Sequence, residues 1–365
     1  EALDVVLDEF KRSEMERVRI RDVESFIAFQ KARELFSEAH SESSSTEMLR
    51  KLKQTNDLLD VILERAPDYG TAWILRADYS THILIDSASG VPIDEAFAHE
   101  VDDAANNMLD NMRRAAEHPW SDAAKLALQI DIGYLGGNWR GSIRRLELSM
   151  EQTGCEGSQW GDMLANPFGY AEAYAGHLED LAECDPLLNR SWSNLAAARN
   201  WAGDPVMALD ALSNIPPGSR GDHDVMVEAW ARVSAGQLEE ANDVVNAVIS
   251  DGNNLLYART MLAAAEGDEA AARGFLHEFL ESPDRMRVRD LPLLAMVGDR
   301  YAVNALAAQL DAHPYGYIAL PMVVAFCACG APWDIEKTPN FKAKFEESGL
   351  QWPPGSPIDF PLKDW

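Results

Sequence analysis

Small and large apolar side chains recur in a fixed order along the second half of the chain, each time behind a glycine. Gly137, Gly169, Gly203, Gly236, Gly267, Gly298 and Gly330 are separated by 32, 34, 33, 31, 31 and 32 residues. Five positions after them stand Ser142, Tyr174, Ala208, Ala241, Ala272, Val303 and Ile335. Four further on come Leu146, Leu178, Leu212, Val245, Leu276 and Ala307. A step of four stays on one face of an α-helix. Each glycine therefore predicts a turn followed by a helix whose small residue meets the helix before it. Ala208, Ala241 and Ala272 are expected at the closest crossings, and the outer copies are degenerate. A period of this size marks a stack of helical hairpins.

The stretch "DPLLNRSWSNLAAARNWAGDPVMAL" over 185–209 is the best-kept copy. Asp185-Pro186 closes one helix, Trp192 follows six residues after the proline, and Gly203-Asp204-Pro205 turns the chain into the helix carrying Ala208. Upstream, "ERAPDYGTAWILRADYS" sets Pro67 and Trp73 in the same phase. These spacings resemble the tetratricopeptide repeat. The resemblance covers residues 45–345 and implies an all-α fold, an α-α superhelical solenoid of roughly eight or nine hairpins. An enlarged hairpin over 82–120 interrupts it. Residues 1–44 read as a helical lead-in, and 346–365 as an extended, proline-rich tail that caps the end of the stack.

"DVESFIAFQKARELF", followed by "LLDVILERAPDYGTAWILRADYS", resembles the entry into the repeats of proteobacterial proteins that join a TolB-like segment to tetratricopeptide repeats. These include membrane regulators of the cadaverine-operon type and proteins labelled adenylate cyclases. The ending "CACGAPWDIEKTPNFKAKFEESGLQWPPGSPIDFPLKDW" is similar to the closing segment of one branch of that group. The resemblance implies an N-terminal output domain ahead of Glu1, so that this chain is a fragment or a processed product. Neither a DNA-binding nor a cyclase domain lies in these residues, so neither activity is carried over.

Composition narrows the partners. Sixty acidic residues against 32 basic ones give a formal charge of −28, which repels phosphate backbones and anionic lipid surfaces. Nucleic acid is therefore excluded as the expected partner. No run of 18 apolar residues occurs, so the chain itself is not expected to insert in a membrane, although a missing N-terminal segment would tether it. The eight histidines are scattered, with none four residues from another, and no HExxH, GxSxG or P-loop word occurs. No catalytic residue, cofactor or metal is expected, and acidic pairs such as Glu239-Glu240 read as solvated helix faces.

The cysteines divide into two pairs. Cys327 and Cys329 in "MVVAFCACG" sit two apart on a predicted buried helix, on different faces, and read as reduced thiols. Cys155 and Cys184 fall at one edge of consecutive hairpins. A disulfide there, as against two free thiols, would favour an oxidising compartment.

What remains is binding. In tetratricopeptide proteins the first helix of each hairpin lines a concave groove. Carrying the family's groove positions over one by one points to Tyr134, then Gln159, Met163 and Asn166, then Arg190, Ser193, Asn200 and Trp201. His223, Met226 and Trp230 follow, and finally Asn254, Tyr257 and Met261. Aromatics at such positions supply anchoring area and amides satisfy an extended backbone; the alternative is that Trp201, Trp230 and Tyr257 pack between helices or are covered by the chain itself. The expected function is a non-enzymatic scaffold or sensor that holds a protein or peptide partner in a bacterial envelope-associated signalling protein, at the periplasmic or extracytoplasmic face. A cytoplasmic location is the alternative. A structural subunit binding through convex or end surfaces is the other function weighed.

Overall fold

The computed structural model describes residues 23–40, 44–91, 93–152, 155–248, 253–282, 285 and 287–365. Among these the secondary structure is helical, with no β-strand, and the fold is all-α. The chain divides into two compact units: one ends at Ser87 and resumes from Pro92 to Ile132, the other comprises Ala88–Val91 and Gly133–Trp365.

The first unit is built from α1 (Val23–Ala39), α2 (Ser45–Arg65), α3 (Gly70–Ala88), a single turn α4 (Glu95–Ala98), α5 (Val101–Glu117) and most of α6 (Asp122–Leu135). Phe26, Phe29 and Ala32 of α1 pack on Leu59, Ile62 and Leu63 of α2, with Tyr69 and Ala72 closing the cluster. The enlarged hairpin resolves into the last turns of α3, α4 and α5. Met108, Met112 and Ala115 follow the helical repeat on the buried face of α5, while the acidic residues of its first turn, Asp102 and Asp103, favour its N-terminus.

The second unit continues with α7 (Ser142–Met150) and α8 (Asp162–Ala165), which runs through a π-turn at Asn166–Tyr170 into α9 (Ala171–Cys184). Then follow α10 (Asn189–Trp201), α11 (Pro205–Ser213), α12 (Asp222–Ser234), α13 (Leu238–Asn246), α14 (Asn253–Glu266) and α15 (Glu269–Glu281). The unit closes with α16 (Asp290–Met296), α17 (Arg300–Asp311), α18 (Gly316–Cys327) and α19 (Pro339–Ser348). From α9 to α15 each helix packs against the next, and α12 also touches α10 and α14.

The evenly spaced glycines share one conformation, with φ between 68° and 94° at all seven. At Gly203 the reason is visible. The Asp204 N–H reaches back to the Arg199 carbonyl and the Gly203 N–H to that of Asn200, a helix stop that needs a left-handed residue. The same pair of bonds recurs at Gly236, Gly267 and Gly298. The residue after the glycine then starts the next helix: the carboxylates of Asp204, Asp268 and Asp299 accept from the backbone N–H of Met207, Ala271 and Ala302. Glycine halts one helix and aspartate opens the next.

Burial follows the phase. Ala208, Ala241, Ala272, Val303 and Ala307 are fully buried, and Ser142, Leu146, Leu178, Leu212, Val245 and Leu276 nearly so. Tyr174, the largest residue at its position, fits because its hydroxyl lies over Gly161, where a Cβ would come within 2.8 Å. Ile335 departs: it sits half-buried in a short 3-10 turn, so the last copy has no second helix in that register. The proline and tryptophan phase is real in space. Trp73 Nε1–H donates to the Pro67 carbonyl at 2.8 Å, and Trp192 Nε1–H to that of Pro186 at 2.9 Å.

After α19 the chain runs without regular structure. Leu350, Ile358 and Phe360 are buried, the Trp352 ring packs on Trp333, Phe341 and Phe345, and the Ile358 N–H donates to the Ala328 carbonyl at 3.0 Å. Among the described residues no helix is long and apolar enough to cross a membrane.

Candidate functional site

The helix α18, with the sequence GYIALPMVVAFC, carries no charge in a chain that is otherwise a quarter charged. A helix that is apolar on all sides must be surrounded. It is: Ile318, Ala319, Leu320, Val323, Val324 and Cys327 are fully buried. Three helices that the repeat phase makes the first of their hairpins send donors to its backbone. Tyr134 Oη, on α6, donates to the Ile318 carbonyl at 2.7 Å, and Trp201 Nε1 at the end of α10 to that of Ala325 at 3.1 Å. Tyr257 Oη on α14 donates to the Phe326 carbonyl at 2.5 Å. Ala325 and Phe326 lie in the last turn of α18, where carbonyls have no helical donor. The side chains of α10 and α14 supply it. In return Tyr317 Oη donates to Leu135 O at 3.0 Å.

This placement corrects the expectation of an open aromatic face. Tyr134, Asn166, Ser193, Asn200, Met226, Trp230, Tyr257 and Met261 are buried, and Trp201 is half-buried under α18. Ser193 Oγ donates to the Asp224 carboxylate, so its hydroxyl serves a neighbouring hairpin. Trp201 and Trp230 meet edge to face, ring centroids 5.9 Å apart. The Asn200 amide and the Trp230 indole N–H, both buried, have no hydrogen-bond partner among the described residues. The physical reason for the difference at Tyr134, Trp201 and Tyr257 is that the chain's own uncharged helix occupies their polar ends.

What stays accessible is the polar remainder. Gln159 and Arg190 are exposed, and Met163, His223 and Asn254 are half-buried. Arg289, just ahead of α16, was not among the expected residues; it donates from Nη1 to the Asn254 carboxamide oxygen and lies over the Phe326 ring, 5.5 Å from its centroid. Burial holds the Arg289 guanidinium below its usual range, and Tyr257 faces it with a hydroxyl that burial pushes well above its own. Burial, with Arg289 and Arg190 nearby, lowers the His223 imidazole to about 4. Among the described groups around Arg289, Asn254, Tyr257, His223 and Phe326 are uncharged at neutral pH, while the Asp224 carboxylate, which accepts from Ser193, also acts on the His223 ring. Burial raises Asp162 to about 6 against the pull of Arg190.

Cys155 and Cys184 are joined in a disulfide, with Cα atoms 5.5 Å apart. Cys327 and Cys329 correct the expectation of separate reduced thiols. The helix stops at Cys327, Ala328 adopts a left-handed φ of 52°, and the two sulfurs meet with Cα atoms 5.0 Å apart. Leaving the helix removes the separation of faces that argued against a bridge.

In the first unit the fold brings together residues that sequence spacing left apart. His40, after α1, meets His82 on α3, with Nε2 atoms 3.2 Å apart beside the Asp78 carboxylate. The legible signal was Asp78 and His82 at a spacing of four on one helix. A search for paired histidines at that spacing passes over it.

No protein-family model matches the chain, and no curated protein matches it.

Proposed function

We propose that the chain is a non-enzymatic, tetratricopeptide-like solenoid module that binds a protein or peptide partner through a carboxylate. The observation that carries this reading is Arg289, a half-buried guanidinium among the neutral groups Asn254, Tyr257, His223 and Phe326, with Arg190 on the same polar remainder. A guanidinium held partly away from water among neutral groups favours taking up an anion, and guanidinium matches a carboxylate in shape as well as charge. The recurrent glycine-aspartate turns support the repeat assignment, and so does the repeated bond from tryptophan to proline. The Cys155–Cys184 bridge supports placement in an oxidising compartment, in line with an envelope-associated signalling protein.

The test compares labelled peptides ending in a free carboxylate with the same peptides amidated, by fluorescence anisotropy on the full chain. Carboxylate peptides should bind more tightly, and Arg289→Met should weaken them by roughly tenfold or more while the helical circular dichroism stays unchanged. Equal binding of the two peptide forms, or of folded Arg289→Met and the original chain, removes this reading.

A second reading, a structural subunit that binds through its outer edges, is favoured by Leu187, which is 90% exposed, and by Leu188 beside it at 50%. Leu187→Glu with Leu188→Glu would then abolish association with copies or partners and leave peptide binding untouched.

A further inference from the structure

We propose that His40, Asp78 and His82 form a binding site for a divalent transition-metal ion, zinc in the first instance, in the first compact unit. The three ligand atoms form a nearly equilateral triangle. His40 Nε2 and His82 Nε2 are 3.2 Å apart, His40 Nε2 and Asp78 Oδ2 3.2 Å, and His82 Nε2 and Asp78 Oδ2 3.5 Å. Ligands bound to one zinc ion at 2.0–2.1 Å in a tetrahedron stand about 3.3–3.4 Å from one another. The triangle has the size of one face of that tetrahedron.

The local structure accounts for the placement. Asp78 and His82 are one turn apart on α3, so both project from the same face. His40 follows the last turn of α1, where its Nδ1 lies 2.8 Å from the Phe36 carbonyl. A carbonyl accepts only, so Nδ1 carries the proton, and in the neutral ring Nε2 presents its lone pair to the other two groups. A backbone acceptor on the second ring nitrogen is the usual device that orients a metal-binding imidazole. The Phe36 ring, 4.4 Å from the His40 ring between centroids, supports it from the side. One turn beyond His82 on α3 lies Asp86, buried and bonded by the Ser45 hydroxyl at the start of α2, with its charge acting on His82. Side-chain exposures are 23% at His40, 12% at Asp78 and 20% at His82, and the Asp78 Oδ2 atom itself is buried, so the carboxylate oxygen faces the two imidazoles away from bulk water.

Two imidazoles and one carboxylate suit zinc among the abundant divalent ions. Magnesium and calcium prefer oxygen ligands throughout. Because His40 stands 38 residues before Asp78 in the chain, a bound ion ties the end of α1 to the middle of α3. It acts there as a staple, raising the melting temperature as the logarithm of the free zinc concentration once that exceeds Kd.

The experiment uses the full chain, stripped with a chelator, dialysed and titrated with zinc chloride by calorimetry. One zinc per chain should bind with a Kd on the order of 1 µM or tighter and raise the Tm. Asp78→Asn, which keeps the side-chain shape, should weaken binding by roughly 100-fold and lose the rise in Tm, as should His40→Gln. Cobalt(II) in place of zinc should show the visible absorption of a four-coordinate ion, absent in Asp78→Asn. The exposed pair His277 and Glu281, 3.3 Å apart, is the competing surface site, and His277→Ala should change nothing. Absence of 1:1 binding to the original chain overturns the proposal, as does equal binding by folded Asp78→Asn, or loss of binding in His277→Ala.

Discussion

Trp201 Nε1 donates to the carbonyl of Ala325, 124 residues further along the chain, at 3.1 Å. That bond supplies a donor to the last turn of an uncharged helix, where carbonyls have no helical partner. Trp230, stacked edge to face on Trp201, is only 6% exposed. Both tryptophans are therefore structural. Trp230→Ala should destabilise the protein by about 3–5 kcal/mol, and Trp201→Ala by about 2–4 kcal/mol because it also strips a helix-end carbonyl of its donor. Denaturant melts that leave either variant within 0.5 kcal/mol, about the scatter of an exposed substitution, would show that α18 does not rest on them.

The turn glycines differ in what surrounds them. Gly203 has a φ of 81° and open space where a Cβ would stand, so Gly203→Ala should cost about 1–2 kcal/mol of left-handed strain. Gly298 has a φ of 78°, and an added Cβ would come 2.1 Å from the Leu362 carbonyl oxygen. Gly298→Ala should cost clearly more and release residues 350–365 to limited proteolysis. Equal costs for the two substitutions in urea would mean that the tail does not press on this turn.

The disulfide predictions concern all four cysteines, none of which is free. Thiol counting on denatured, unreduced protein from its native source should find no titratable thiol. Mapping should link the peptide of Cys155 to that of Cys184. Replacing both of these by serine opens a loop with a sequence separation of 29, worth roughly 3–4 kcal/mol by loop entropy. Four reactive thiols in the native protein would remove the support for an oxidising compartment.

His223 sets a pH dependence with a definite sign. Its folded value, lowered to about 4, lies below the ordinary 6.5, so between these values the unfolded chain binds more protons than the folded one. Its contribution is therefore fully present above 6.5 and is lost as pH falls toward 4. Asp162 and Asp290, raised to about 6 by burial, act in the opposite direction, so the whole protein's melting curve mixes both signs. Comparison with His223→Gln isolates the imidazole. Relative to this variant the original chain should lose Tm from pH 7 to pH 4. A constant difference across that range would contradict the burial of this ring.

Much of the hairpin array was legible because its signals are local. Glycine at a left-handed stop and an apolar residue one turn beyond a small one each act within a few residues, and from Gly203 to Gly298 each occupies the position its spacing predicts. Whether the expected aromatics face a groove or pack inside could not be read from the sequence, because position within a repeat says which side chains share a face and nothing about what covers it. One signal was present in the sequence: a twelve-residue helix without a charge, in a chain of net charge −28, needs apolar surroundings on every side.

The sequence by itself determined that the chain is helical, where its turns fall and which residues at the crossings must be small, since these depend on neighbours within about one turn. Tertiary structure alone decided that α18 fills the face lined by Tyr134, Trp201 and Tyr257, that Cys327 and Cys329 leave the helix together, and that His40 reaches Asp78 and His82. The first of these joins residues 69 to 184 positions apart. Such contacts depend on how whole helices stack, a quantity that no local pattern of residues encodes.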